Sequence, residues 1–146
     1  SDQNWHRDIK PQNILVFNWV PDQIRVVLGD FGLARHFEAD ALCTEYVGTH
    51  YYMAPEILQK KPYNNSVDIY ALGITLFFML TNRLPFACID KFKNAYYRQV
   101  TNGQLQMQLL LGKNLSDEVR DLITQMCKLN PYERITAADA LNHEWF

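Results

Sequence analysis

A chain of 146 residues, 48% hydrophobic and 13% aromatic, has the length of one ordinary domain and ample material for a packed core, which excludes a disordered tract. Its formal net charge of −2, spread without long runs of one sign, supplies no field to draw in nucleic acid or an anionic membrane. Cys43, Cys88 and Cys127 are odd in number and far apart, so they read as three ordinary thiols rather than a disulfide framework. They suit a reducing compartment, intracellular and cytoplasmic.

In chain order, residues 6–13 (HRDIKPQN) come first: a carboxylate at Asp8, an ammonium at Lys10 and a carboxamide at Asn13 lie within six residues, beside a proline that fixes the backbone. Residues 14–17 (ILVF) and 24–28 (IRVVL) are short β-branched runs parted by NWVPDQ, which predicts a hairpin. From 29 to 56 no period is sustained, and a connection of that length inside a compact domain is usually functional. From Ser66 the pattern turns helical, with helices expected to about Leu80, over 91–100, over 117–128 and from 137 to about 143. Ser116 before Asp117 and Glu118, and Thr136 three before Asp139, are hydroxyls placed to accept an orphan amide at a helix start. Pro131 separates the last two helices.

The run 69–80 (IYALGITLFFML) is twelve residues long, short of the ~20 that cross a bilayer. It reads as a buried helix, and being apolar all round it demands protein neighbours on every side. With no repeat, low-complexity tract or linker, one domain over 1–146 is the economical reading. The sequence starts at Ser1 without a methionine, so a longer parent would hide any targeting segment.

Three short motifs carry the chemistry. His6-Arg7-Asp8 is followed after four residues by Asn13, the expected hairpin then leads to Asp30-Phe31-Gly32, and Ala54-Pro55-Glu56 closes the segment that Asp30 opens. Each tripeptide alone is weak; three in this order and spacing are specific. They match signatures of the protein kinases, with Ile9 in place of the usual leucine. Transfer of a γ-phosphoryl group is mostly positioning and electrostatics. Asn13 and Asp30 are oxygen donors for hard Mg²⁺, Lys10 is a cation for the charge on the moving phosphate, and Asp8 can accept the proton of an attacking hydroxyl.

The whole chain resembles the C-terminal lobe of a eukaryotic protein kinase: mainly α with a small β-hairpin, part of a two-lobed α+β fold. That resemblance implies ATP and Mg²⁺ as cofactors and a protein substrate with a Ser or Thr acceptor. It makes 30–56 the activation segment and has Asp68 bond to the catalytic-loop backbone. It pairs Glu56 with Arg134, assigns His6 and Phe31 to a hydrophobic spine, and sets Leu15 beneath the adenine. Lys10 in HRDIKPQN and Thr49 in GTHYYMAPE resemble the serine/threonine-specific branch, and the Thr49 hydroxyl can both donate and accept between Asp8 and Lys10.

Arg7 resembles the arginine that holds a phosphorylated activation segment. Thr44 and Tyr46 are then candidate phosphate sites for an upstream kinase, and Glu45 between them offers a permanent negative charge instead. Thr44-Glu45-Tyr46 reproduces a motif of the mitogen-activated protein kinases. Met53 before Ala-Pro-Glu, in place of arginine, and the short connection from Val100 to Ser116 depart from that group, while ITAADALNHEWF resembles the last helix of the calmodulin-dependent and STE-like groups.

No G-x-G-x-x-G loop and no V-A-I-K strand occur among the 146 residues, and the helix that ordinarily precedes the catalytic loop is reduced to something like residues 1–5. The expectation is a fragment of a longer kinase, inactive alone. Two other readings stand beside it: a non-catalytic kinase-like interaction module, which truncation allows, and a small-molecule phosphotransferase, which would lack the Ala-Pro-Glu segment.

Overall fold

The computed structural model describes residues 3–18, 20, 23–38, 40–86, 93–111 and 115–146. Two short antiparallel ladders occupy the first quarter of the chain. Strand β2 (Ile14–Asn18) pairs with β3 (Arg25–Leu28) in the register Ile14↔Leu28, Leu15↔Val27, Val16↔Val26, with a bulge before Asn18↔Arg25. This is the expected hairpin; Trp19, Pro21 and Asp22 of its turn lie outside the described residues. Its apolar side chains have little cover, Phe17 being 70% exposed.

The second ladder corrects the expectation of a single hairpin. Strand β1 (Gln3–Trp5) pairs with β4 (Arg35–Phe37) in the register Gln3↔Phe37, Asn4↔His36, Trp5↔Arg35. The stretch expected as a helical stub is therefore strand, with Ser1 and Asp2 outside the described residues. A helix of so few residues cannot repay its nucleation, whereas the buried Trp5 ring stacks on Phe37 at 3.9 Å between centroids.

The segment without a period also holds local structure: 3-10 turns at Phe31–Leu33 and His50–Tyr52, an isolated antiparallel bridge Cys43↔Tyr63, and a one-turn helix α1 (Pro55–Leu58) with proline in its first turn. Cys43 and Cys127 are buried free thiols; Cys88 lies outside the described residues.

The rest is helical: α2 (Ser66–Thr81), α3 (Lys93–Thr101), α4 (Gln108–Leu111), α5 (Asp117–Met126) and α6 (Ala137–Leu141). The expected start of α3 at residue 91 falls outside the described residues, and α5 and α6 end about two residues early. Both cap hydroxyls accept as expected, Ser116 from the Val119 amide and Thr136 from the Asp139 amide.

Helix α2 is the axis of the core. Tyr70, Ile74 and Phe77 are fully buried, and α5 delivers Val119, Leu122, Ile123 and Met126 against it. The two helices touch at Gly73, where a Cβ would stand 2.7 Å from Cys127 Sγ and 2.8 Å from Met126 Cβ. The demand for neighbours on every side is not met on one face. Leu72, Leu76 and the exposed Met79 line an apolar groove of about 150 Å³ together with Ile14, Met126 and Phe146. Among the described residues no helix is long and apolar enough to cross a membrane.

Candidate active site

The loop between β1 and β2 is shaped from beneath by Asp68, in the first turn of α2. Its carboxylate accepts the His6 amide at 2.7 Å and the Arg7 amide at 2.8 Å, so two backbone donors that no ladder uses are satisfied by one side chain. Burial pushes the Asp68 carboxyl above its ordinary value, against the opposing effect of those two amides. His6 is buried; its Nε2 lies 2.9 Å from the Gly29 carbonyl and its ring packs on Phe31 at 5.0 Å between centroids. The spine pair expected from the resemblance is therefore in contact, with Phe31 otherwise exposed.

Asp8 stands at the centre of a closed set of hydrogen bonds. Lys10 Nζ donates to Asp8 Oδ2 at 2.7 Å and to Thr49 Oγ1 at 2.8 Å, and the Thr49 hydroxyl donates to Asp8 Oδ1 at 2.6 Å. One hydroxyl thus accepts from the ammonium and donates to the carboxylate. The Thr49 amide adds a bond to Oδ1 at 2.8 Å, and Asn13 Nδ2 donates to the Asp8 carbonyl at 2.8 Å. Burial alone would raise the Asp8 carboxyl; the bonds from Lys10 and Thr49 outweigh it and hold the group below its usual range, ionised at neutral pH.

Asn13 is buried, and commitment of its amide nitrogen to Asp8 leaves the amide oxygen as the donor available to a cation. Asp30 sits one residue beyond Gly29, whose amide donates to the Asn13 carbonyl at 2.8 Å, so closure of the hairpin sets the two loops side by side. Asp30 itself is exposed, left-handed at φ 55°, and accepts only a long bond from the Gly32 amide. It makes no described bond to Asp8, Lys10 or Asn13. One exposed carboxylate and one amide oxygen are the hard donors that Mg²⁺ takes when phosphates and waters complete its shell, so the residues fit that ion. Among the described residues no cluster of three or more His, Cys, Asp or Glu side chains forms a self-sufficient metal site. Leu15, half exposed on β2, covers the position where a Cβ on Gly29 would stand.

Farther out, Glu56 and Arg134 form a two-pronged buried pair, Nη1 to Oε1 at 2.5 Å and Nη2 to Oε2 at 2.7 Å. Arg134 also donates to the Lys128 carbonyl and lies over the Tyr70 ring at 5.0 Å. Thr44 and Tyr46 are exposed, and their hydroxyls have no described partner.

Two features escape a reading of the sequence. Tyr96 of α3 donates its hydroxyl to the Tyr51 carbonyl at 3.0 Å, tying α3 to the turn that follows Thr49. Gly48, at φ 112°, lies where any Cβ would strike the Arg7 carbonyl at 2.6 Å. The glycine before Thr49 was the available signal for that close approach.

A family model described as "Protein kinase domain" matches residues 1–146. The chain is 34% identical to calcium/calmodulin-dependent protein kinase type 1 of Caenorhabditis elegans, over 96% of this chain and 39% of that protein. It is 37% identical to human serine/threonine-protein kinase H1, over 96% of this chain and 33% of that protein. With serine/threonine-protein kinase cds1 of Schizosaccharomyces pombe the identity is 38%, over 97% of this chain and 31% of that protein. The chain therefore spans about a third of the length of these curated relatives. With the motifs in order, Asp8, Lys10, Asn13 and Thr49 joined by hydrogen bonds and a family match along its whole length, the chain belongs to the protein kinase domain family.

Proposed function

We propose that this chain is the substrate-binding C-terminal lobe of an Mg-ATP-dependent protein serine/threonine kinase, of cytoplasmic location, whose parent supplies the ATP-covering lobe. The observation that carries the reading is the closed set Asp8, Lys10 and Thr49 with Asn13 tied behind it. Bound ATP and Mg²⁺ supply the γ-phosphoryl group and neutralise the charge that develops as it moves. Asp8 orients an incoming hydroxyl and accepts its proton, Lys10 faces the phosphate charge, Asn13 and Asp30 offer oxygens to the metal, and Leu15 supports the adenine. Thr49 joins the activation segment to the base, which supports a Ser or Thr acceptor, as do the names of the relatives.

The uncovered hairpin supports the absence of an upper wall over the nucleotide, since its apolar residues are placed to meet protein. The test is transfer of labelled phosphate from ATP to Ser and Thr of a protein acceptor by the full-length parent. Transfer that Asp8→Asn abolishes is expected; an inactive parent, or an Asp8→Asn variant of undiminished rate, overturns the reading.

A further inference from the structure

Two clefts lie on a face that none of Asp8, Lys10, Asn13 and Asp30 lines. One, of about 490 Å³, runs between the end of α1, with Lys61 and Pro62 beyond it, and the turn that carries Leu129 and Tyr132. The other, of about 260 Å³, runs between Leu105 and Lys128. Leu129 lines both, so the two join as one trough, open to solvent.

The walls of the trough are cross-linked from beneath. The buried Arg134 guanidinium bonds to Glu56 of α1 on one side; on the other it donates to the carbonyls of Lys128, at 2.8 Å, and Leu129, at 3.4 Å. Asn130 fixes the second wall further, accepting from the Tyr132 amide at 3.1 Å and donating to Glu133 at 2.8 Å. A ligand therefore orders little of the protein on entering. Against this frame Tyr132 and Leu129 stand 78% and 41% exposed, an aromatic ring and an apolar side chain of the kind that anchors a partner.

The charges select that partner. Glu56 is the carboxylate among the lining residues, and its two bonds to Arg134 cancel it, whereas Lys61 lines one cleft and Lys128 the other. Lys60, exposed beside Lys61, adds a third ammonium. Nearby anions offset these only in part: Glu133 is held by Asn130, and Asp121, whose charge Lys128 feels, takes bonds from Gln125 and His143. We propose that the trough docks an extended acidic segment of the protein substrate, with an apolar side chain against Leu129 and Tyr132 and carboxylates facing Lys61 and Lys128. An open trough leaves a compact small molecule largely exposed, but an extended chain lays successive side chains along it. Pro55, which also lines it, is six residues beyond Thr49, so the trough begins no more than about 22 Å along the chain from the residue that bonds to Asp8. The assignment to a substrate rests on the kinase reading and deepens it.

The experiment uses the full-length parent and labelled peptides of about ten residues in which glutamates flank one leucine or phenylalanine, with matched peptides carrying lysine for glutamate or serine for the apolar residue. The parent should bind the acidic apolar peptides at least about tenfold more tightly than either control, and less tightly as salt is raised. A Lys61→Glu, Lys128→Glu double variant and a Tyr132→Ser variant should each lose about tenfold or more of that affinity while melting as the parent does. Joined by a glycine-serine linker of about ten residues to a serine peptide that the parent phosphorylates, the acidic segment should lower KM about tenfold without changing kcat. That gain should vanish in the variants, whose rate on the unlinked peptide stays at the parent's. Equal binding of acidic and basic peptides by the unaltered parent, binding that the variants leave intact, or linkage without effect on KM overturns the proposal. Self-association that the variants abolish, with no peptide bound, overturns it too and gives the face to a second copy. A parent that transfers phosphate in an Asp8-dependent manner but binds no acidic peptide fails this proposal alone; one that binds the peptides without such transfer locates the failure in the kinase reading.

Discussion

Asp8 and Asp30, the two aspartates of the proposed site, sit in different surroundings. Asp8 takes its bonds from Lys10, Thr49 and Asn13, whereas Asp30 stands exposed with its carboxylate largely uncommitted. In the full-length parent, Asp30→Asn is therefore expected to weaken Mg-nucleotide binding, and Asp8→Asn to leave that affinity intact while lowering the chemical rate by about 10²-fold or more. Nucleotide titration of both variants reads the split, and the reverse pattern would refute the assignment. The depressed Asp8 pKa adds a pH consequence. A carboxyl held below its usual value is already ionised at neutral pH and loses its charge only as the pH falls through that lower value. The rate profile between about pH 6 and 8 should then carry no acidic limb that Asp8 causes. Asp8, Lys10 and Asn13 were legible because they share one short motif. The Arg7–Glu45 pair was not, since it joins residues 38 apart and only folding shows which of Thr44, Glu45 and Tyr46 reaches the guanidinium.

Among the elements, those with a long period or a cap were legible and those held by distant partners were not. Helices α2 and α5 announce themselves through apolar runs and Ser116; β1 and β4 have three residues each, too few for a period, and exist because Trp5 stacks on Phe37. Helix α1 is likewise an effect of position, its Glu56 drawn to Arg134 across 78 residues of sequence. Because that pair is buried, Glu56→Ala or Arg134→Ala should lower stability by about 3–5 kcal/mol, leaving one charge uncompensated. Denaturant melts of the variants measure it, and an unchanged midpoint would show that the pair contributes nothing. Gly73→Ala tests the α2–α5 contact. Its gain of about 1 kcal/mol in helix propensity opposes an overpacking cost of about 1–3 kcal/mol against Cys127 and Met126, neither of which presents a flexible tip. A net loss in melting temperature is expected, and a gain would mean that the helices part easily.

At the scale of the whole molecule, the apolar residues of the hairpin and the groove beside α2 leave two apolar surfaces uncovered among the described residues. The isolated 146-residue chain should accordingly bind an apolar dye and self-associate, and a Phe17→Ser, Met79→Ser double variant should do so less. It should also transfer no phosphate, because a site open from above lets water weaken every charge contact that the transition state uses. Transfer by the purified chain that an Asp8→Ala control lacks would sink that expectation. The two bonds from Asp68 to the backbone of His6 and Arg7 also set an order of events in time. They span 62 and 61 residues, so the catalytic loop emerges during synthesis long before the helix that gives it shape. At about 5–20 residues per second, that delay is roughly 3–12 s, during which the loop has its sequence but not its form. A nascent chain arrested before Asp68 emerges should therefore leave residues 6–13 open to protease, and one arrested well after α2 should protect them.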